Sequence, residues 1–240
     1  ALRALRDEGD GFQISSAYGA AMLPHEATEL SEALRIADTR LSGNKDSRRA
    51  SAGKQTREVL LSVLDERDAD LRGHLSAVAR LARAVGEALG LPDAELHDLT
   101  LTAELHDVGK LAIPDSILSK DGALTEDEWI FVHRHTVIGE RILSSAPALA
   151  RISRLVRSTH ERLDGMGYPD GLSGEQIPLL ARIVSACDAF NAMIEERPYR
   201  AALSEENAIA ELRRCSGTQF DPVVVEALIE GRGQAFQLVA

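Results

Sequence analysis

Cysteine is nearly absent from this sequence. Its 240 residues include two, Cys187 and Cys215, too few for a disulfide framework or a thiolate zinc site. Both sit in helical apolar surroundings and read as core packing. Long apolar runs are missing as well: no stretch approaches the roughly 20 residues that span a bilayer, and no signal peptide opens the chain. A cytoplasmic chain without membrane insertion is the expectation. Positive charge is in deficit, with a formal net charge of -11. General nucleic-acid and membrane-surface binders need a net basic footprint, so both classes are excluded, and an anionic substrate would need local cations. Repeats and low-complexity tracts are also lacking. What remains is 44% hydrophobic and 27% charged, enough for one full-sized core and a small appendage. The first residue is Ala1 rather than Met, which suggests a piece of a longer protein.

Periodicity divides the chain. Over residues 10 to 22, Phe12, Ile14, Ser16, Tyr18, Ala20 and Met22 alternate with the other side, the period of a strand. After Pro24 the period becomes helical through Leu30, Leu34, Ile36, Ala37 and Leu41. Residues 42 to 54, "SGNKDSRRASAGK", lose their apolar side chains and read as linker. Beyond residue 55 nearly every segment reads as helix: 56 to 67, 70 to 90, 93 to 107, a helix from 125 towards Leu143, then about 147 to 160, 178 to 194, 204 to 215 and 221 to 230. Gly90 and Pro92 stop one helix, and Thr125 with Glu128 forms a capping box at the start of another. The expected fold is mainly α, a helical domain over residues 53 to 240 behind a short α/β piece over 1 to 52.

Seven histidines can be tested against helix geometry. His74 lies in line with Val78, Leu81 and Val85, on the face that must be buried. Of the pairs His97-Asp98 and His106-Asp107, nine residues apart on one helix, only one can face inward. The apolar company of Leu99, Leu101 and Leu105 selects His106-Asp107 and leaves His97 in solvent. Asp107 buried alone would carry a desolvation cost of several kcal/mol, which a metal or a histidinium would offset. His133 and His135 differ by about 200 degrees on a helix; His135, with Ile138, Gly139 and Ile142, is the inward one, while His133 and His25 go to the surface. His160 follows the apolar stripe of Ile152, Leu155 and Val156, and Asp188 follows Ile183 and Val184. Each alone could be a satisfied core residue. Together, His74, His106, Asp107, His135, His160 and Asp188 offer imidazole and carboxylate donors without thiolate, which suits iron or manganese better than structural zinc. Six donors exceed what one catalytic ion with open positions takes, so a bridged pair of divalent ions that activates water against phosphorus is the natural reading.

These residues resemble the HD superfamily, and within it the HD-GYP branch of cyclic di-GMP phosphodiesterases. The likeness runs through "LHDVGKLAIPDSIL" (105 to 118), "HTVIGERIL" (135 to 143), "HERLDGMGYPDGLSGEQIPLLARIVSACDAF" (160 to 190), "RPYR" (197 to 200) and "GTQFDP" (217 to 222), in family order over nearly all of residues 56 to 230. It implies one metal on His74, His106, Asp107 and Asp188, and a second on Asp107, His135 and His160. Asp107 and Lys110 would be the catalytic residues. Lys110, Tyr168, Arg197 and Arg200 would contact the substrate, although the two arginines equally fit a surface turn with salt bridges. Gly167, Tyr168 and Pro169 form the GYP triplet, which in the family lines the lip of the site and can meet GGDEF-domain partners; a stiffened loop would explain it as well.

Three positions depart from the family pattern. Thr159 stands where fuller members carry a second histidine, Asp70 where trinuclear members carry glutamate, and Asn191 where an acid is usual. Two ions rather than three are therefore expected. The segment "ISSAYGAAMLP" with "LSEALRIADTRLSGNK" is similar to the closing strand and helix of a GGDEF domain, whose cyclase motif would lie upstream. The piece is too short to hold a core, leaving it to pack on the helical domain, to exchange into a homodimer or to be poorly ordered. Three functions follow: cyclic di-GMP hydrolysis, nucleotide or GGDEF-partner binding without catalysis, and another HD phosphohydrolase acting on mononucleotides or alarmones.

Overall fold

A computed structural model describes residues 6–9, 12–15, 17–67, 71–120, 122–196 and 201–237. The chain divides into two compact units, residues 1–55 and 56–240, each described by itself. In the first, β1 (Arg6–Gly9) and β2 (Phe12–Ser15) pair antiparallel, with Asp7 opposite Ile14 and Glu8 opposite Gln13. Of the expected strand over 10 to 22, residues 12–15 are paired. Residues 17 to 22 have no regular structure, and Met22 is exposed.

Helix α1 (Leu30–Arg67) runs unbroken through the expected linker. Residues 42 to 54 hold no large apolar side chain to bury, and a solvated helix needs none. Arg, Ala, Lys and Gln are good helix formers, and Gly43 and Gly53 weaken the segment by about 1 kcal/mol each without breaking it. The irregular segment before α1 approaches it closely: a Cβ on Gly19 would lie 1.7 Å from the Ala37 carbonyl oxygen. Arg40 also reaches back to the Ala20 carbonyl at 2.6 Å and to Glu26 at 2.5 Å.

The second unit is helical. α2 (Leu71–Ala88), α3 (Asp93–Leu105), α8 (Leu179–Ile194), α9 (Glu205–Cys215) and α10 (Pro222–Gln237) surround one core of Val78, Leu81, Val85, Leu99, Phe190 and Leu228. Cys187 and Cys215 are free thiols within it. The last turns of α1, with α2, α3, α6 (His135–Ser144) and α7 (Ser153–Arg157), close a second core around Leu64, Leu105, Leu143 and Ile152. Between α3 and α6 the chain makes a 3-10 turn (Val108–Ala112), then α4 (Asp115–Leu118) and α5 (Glu126–His133). Thr125 and Glu128 cap α5 reciprocally.

The helix expected to run from 125 towards Leu143 is interrupted at Arg134. There the His135 ring nitrogen Nδ1 bonds to the Val132 carbonyl at 2.7 Å, and the Thr136 hydroxyl donates to the His133 carbonyl at 3.1 Å. Side chains that take backbone acceptors compete with the helical ladder. Similarly, the expected helix over 147 to 160 shortens to a 3-10 turn (Ala150–Ile152) and α7, so His160 follows a turn. Phe190 is fully buried in the first core. Phe190→Ala is expected to lower urea-unfolding stability by about 3–5 kcal/mol, and a loss under about 1 kcal/mol would show that this core does not hold the unit together.

Candidate metal centre

Helix ends aim the polar side chains at one another. His74 stands in the first turn of α2, His106 directly after α3, Asp107 before the 3-10 turn, His135 at the start of α6, His160 after α7 and Asp188 midway along α8. Two clusters result: His74, His106 and Asp188 in one, Asp107, His135 and His160 in the other, with the donor atoms of each within 4.8 Å of one another. Asp107 links them, for its Oδ2 lies 3.5 Å from His106 Nε2 and its Oδ1 lies 3.5 Å from His135 Nε2. All six side chains chosen from helix faces are therefore brought together. Lys110 joins them through Asp107 Oδ2 at 2.6 Å. Arg197, Arg200 and Asp70 lie outside the described residues.

The rings are held by their outer nitrogens. His106 Nδ1 bonds to the Ala103 carbonyl at 2.8 Å, and His135 Nδ1 to the Val132 carbonyl at 2.7 Å. Each Nδ1 therefore carries the proton, and each Nε2 turns an unshared pair inward. His74 Nδ1 meets Glu195 Oε2 at 3.1 Å and the Asn191 amide at 2.9 Å. With Nδ1–H donating to the carboxylate, the amide accepts as well once its oxygen is turned towards the ring. His74 Nε2 and Asp188 Oδ1 are 3.0 Å apart, a contact between two acceptors unless a proton or a cation lies between them. Four inward atoms, His106 Nε2, His135 Nε2, His160 Nε2 and Asp107 Oδ1, are buried with no hydrogen-bond partner among the described residues. Orphaned buried polar atoms cost about 1–3 kcal/mol each. Their convergence suits divalent ions, and the donor chemistry fits.

Electrostatics agree with that fit. Burial opposes ionisation of Asp107, but the Lys110 ammonium beside it holds its carboxyl well below the usual carboxylate range. Burial likewise works against the Asp188 carboxylate, and the His74 hydrogen bond leads the effects that hold its carboxyl below the usual range. Burial, then the neighbouring His135, pushes His160 down to about 3, and burial lowers His135 despite Asp107. The carboxylates are thus charged and these two imidazoles neutral, the forms that bind metal. His74 differs: burial disfavours its cation, yet Asp188, Glu195 and Asp107 together raise its pKa.

Two close approaches fix the geometry. A Cβ on Gly109 would fall 1.8 Å from the His135 carbonyl oxygen, and one on Gly167 would fall 2.4 Å from the Arg162 amide nitrogen. The first glycine lets the turn after Asp107 press against α6. The second lets the loop fold back, with Glu161, itself buried, accepting from the amides of Asp170 at 2.7 Å and Leu172 at 3.0 Å. Tyr168 is thereby stacked on His160, 5.2 Å between centroids, and on His133, 3.8 Å between centroids. His133 is accordingly half-buried and not out in solvent as helix geometry predicted, because the break at Arg134 ends the single-helix relation between His133 and His135. His97 and His25 are exposed.

Sequence reasoning missed Glu195, His133 and Glu161. Glu195 was within reach of pattern, standing seven residues and so two turns after Asp188; the contacts of the other two cross between segments and leave no local trace. Thr159, where the family pattern has a second histidine, is buried and donates its hydroxyl to the Val156 carbonyl at 2.9 Å.

Residues 58–224 match the family described as HD domain. The chain is 43% identical over 187 residues to the protein named cyclic di-GMP phosphodiesterase response regulator RpfG of Xanthomonas campestris pv. campestris (strain 8004), covering 77% of this chain and 50% of that one. It is 38% identical over 175 residues to a protein of Thermotoga maritima named cyclic di-GMP phosphodiesterase, with 72% and 48% covered. A Vibrio cholerae crystal structure titled as a cyclic GMP-AMP specific phosphodiesterase, V-cGAP3, shares the fold at TM-score 0.56 and 21% identity, over 72% of this chain and 48% of that one. The chain spans about half the length of these curated relatives.

Glu195→Ala is expected to weaken manganese binding by about 10- to 100-fold in calorimetry while leaving the melting temperature of metal-free protein nearly unchanged. Unaltered affinity would mean that the carboxylate does not orient His74. Gly109→Ala, whose added carbon has no room, is expected to lower both metal content and melting temperature, and retention of both would show that the turn after Asp107 can withdraw from α6 without harm.

Proposed function

The chain belongs to the HD domain family, and on that premise we propose that it is a metal-dependent phosphodiesterase that opens cyclic di-GMP at a binuclear centre. The convergence of four orphaned buried donor atoms, shared between two clusters by one carboxylate, carries this reading. His74, His106, Asp107 and Asp188 would hold one ion, and Asp107, His135 and His160 the other. Imidazole and carboxylate donors without thiolate favour iron or manganese. Two such ions, when bound, supply Lewis-acid activation of water and neutralisation of phosphate charge.

The chain's own residues do the rest. Carbonyl-held imidazoles keep their donor nitrogens aimed inward without reorganisation, which is how preorganised polar groups lower a barrier. Asp107 stays ionised between the clusters, so its two oxygens can serve both sides at once. Lys110, held against Asp107, brings a cation to the phosphate, answering the need that the chain's acidic balance creates. Tyr168 covers the His160 side of the site and limits water there. Arg197 and Arg200 are read as further phosphate contacts.

Binding of nucleotide without turnover is the second reading, favoured by Thr159, which offers no donor to the second cluster. Against it, the second cluster, Asp107, His135 and His160, offers three protein donors, the number found at catalytic rather than structural metal sites. The segment before residue 53 is read as the end of a GGDEF domain, with a GGDEF-domain protein or a second copy of the chain as partner and the cytoplasm as its place.

Hydrolysis of cyclic di-GMP by purified protein loaded with iron or manganese under reducing conditions, followed by chromatography, tests the proposal. Turnover to the linear dinucleotide that falls by about 10²- to 10⁴-fold in Asp107→Ala is expected. No turnover under conditions where a reference phosphodiesterase works would leave binding without catalysis, and hydrolysis of mononucleotides or alarmones in preference would point to a different HD substrate class.

A further inference from the structure

One run of aromatic rings is not accounted for by the metal donors. Trp129, the sole tryptophan of the chain, lies on α5 and is 49% exposed, and Ile130 beside it is exposed too. Its ring meets His133 at 5.6 Å between centroids and 50° between planes. His133 lies nearly parallel to Tyr168, 3.8 Å between centroids at 12°, and Tyr168 lies nearly parallel to His160, 5.2 Å at 11°. Four rings thus lead from a metal-donor histidine outwards to a half-exposed indole. Neither Trp129 nor His133 belongs to the donor clusters or to either hydrophobic core. Trp129 packs on His133, which in turn packs on Tyr168, and the indole keeps part of its surface in water, where a further flat ring can cover it.

We infer that Trp129 and His133 form a stacking platform for one purine base of the dinucleotide, an inference that rests on the nucleotide reading above. A nucleotide held by its phosphate at the donor clusters extends its sugar and base over the rim, and the ring ladder occupies the rim beyond His160. Stacking suits this chain for a second reason. It engages the neutral base, so the surplus of acidic residues does not oppose it as it opposes the phosphate. Every base presents a π-face, and base–aromatic stacking adds roughly 5- to 150-fold in affinity per base. The platform would therefore favour purines by ring area without separating guanine from adenine. Trp129 is the binding residue in this arrangement. His133 is a positioning residue, backing the indole on one side and fixing Tyr168 on the other.

Trp129 is its own reporter, because no other indole contributes to the emission. In the metal-loaded full chain, titration with guanosine monophosphate is expected to quench tryptophan fluorescence to saturation, adenosine monophosphate to do so comparably, and inorganic phosphate to leave it unchanged. In hydrolysis of cyclic di-GMP, Trp129→Ala is expected to raise KM by roughly 5- to 150-fold with a much smaller change in kcat. Trp129→Phe, which keeps a ring and the helix, should restore most of the affinity. His133→Ala should weaken the quench and His133→Phe should recover it. Unchanged emission on saturation with guanosine monophosphate, or an unchanged KM in Trp129→Ala while cyclic di-GMP is still hydrolysed, overturns the platform and leaves the phosphodiesterase reading standing. Saturable quenching by the nucleotides in a protein without turnover supports the platform and sinks the catalytic reading. A rise in KM in Trp129→Phe equal to that in Trp129→Ala would show a local packing role in place of stacking.

Discussion

A carboxylate buried among imidazoles is the constraint on which this site turns. Asp107 lies in an interior where its charge has little water to answer it, and one oxygen faces each donor cluster. Lys110 answers part of that charge at 2.6 Å, and the Nε2 atoms nearby are neutral acceptors that cannot donate to it in their carbonyl-held tautomers. A cation between them satisfies the carboxylate and the imidazoles at once. Without one, the protein keeps several unpaired polar atoms in its interior, which native structures rarely tolerate. Placing them there is a cost that function, and not stability, explains.

The rest of the second unit serves to hold that arrangement rigid. The two hydrophobic cores share α2 and α3, so the helices that carry His74 and His106 are fixed on both sides. Gly109 permits the turn after Asp107 to touch the backbone of α6. Arg67, at the end of α1, donates to the carbonyls of Lys110 and Ile113 and pairs with Asp115, tying the other side of that turn. Across the site, Arg157 joins Glu140 on α6 to Asp170 in the glycine-rich loop. Three segments distant in sequence are thereby braced so that the donor atoms keep their separations before any ligand arrives.

Much of this was legible in the residues themselves. Helical periodicity gives α2, α3 and α8, and the inward faces of those helices single out His74, His106, Asp107 and Asp188, because burial and helix geometry are local properties written at spacings of three and four. The capping box of Thr125 and Glu128 is local as well. What escaped is non-local or depends on departures from ideal helices. Helix geometry sends His133 to the surface; the interruption at Arg134, caused by the side chains of His135 and Thr136 taking backbone carbonyls, returns it to Tyr168. Residues 42 to 54 read as linker since they hold no large apolar side chain, yet a polar helix satisfies its backbone as well as any other. Residues 17 to 22 carry the same alternation as β2 yet have no regular structure.

A crystal of the manganese-loaded protein, with anomalous differences collected at the metal edge, addresses the shared carboxylate most directly. Two peaks about 3.5–4 Å apart are expected, with Asp107 contributing one oxygen to each, His74, His106 and Asp188 around the first, and His135 and His160 around the second. A single peak with Asp107 outside its coordination sphere, or no peak within the donor clusters at full loading, would contradict it.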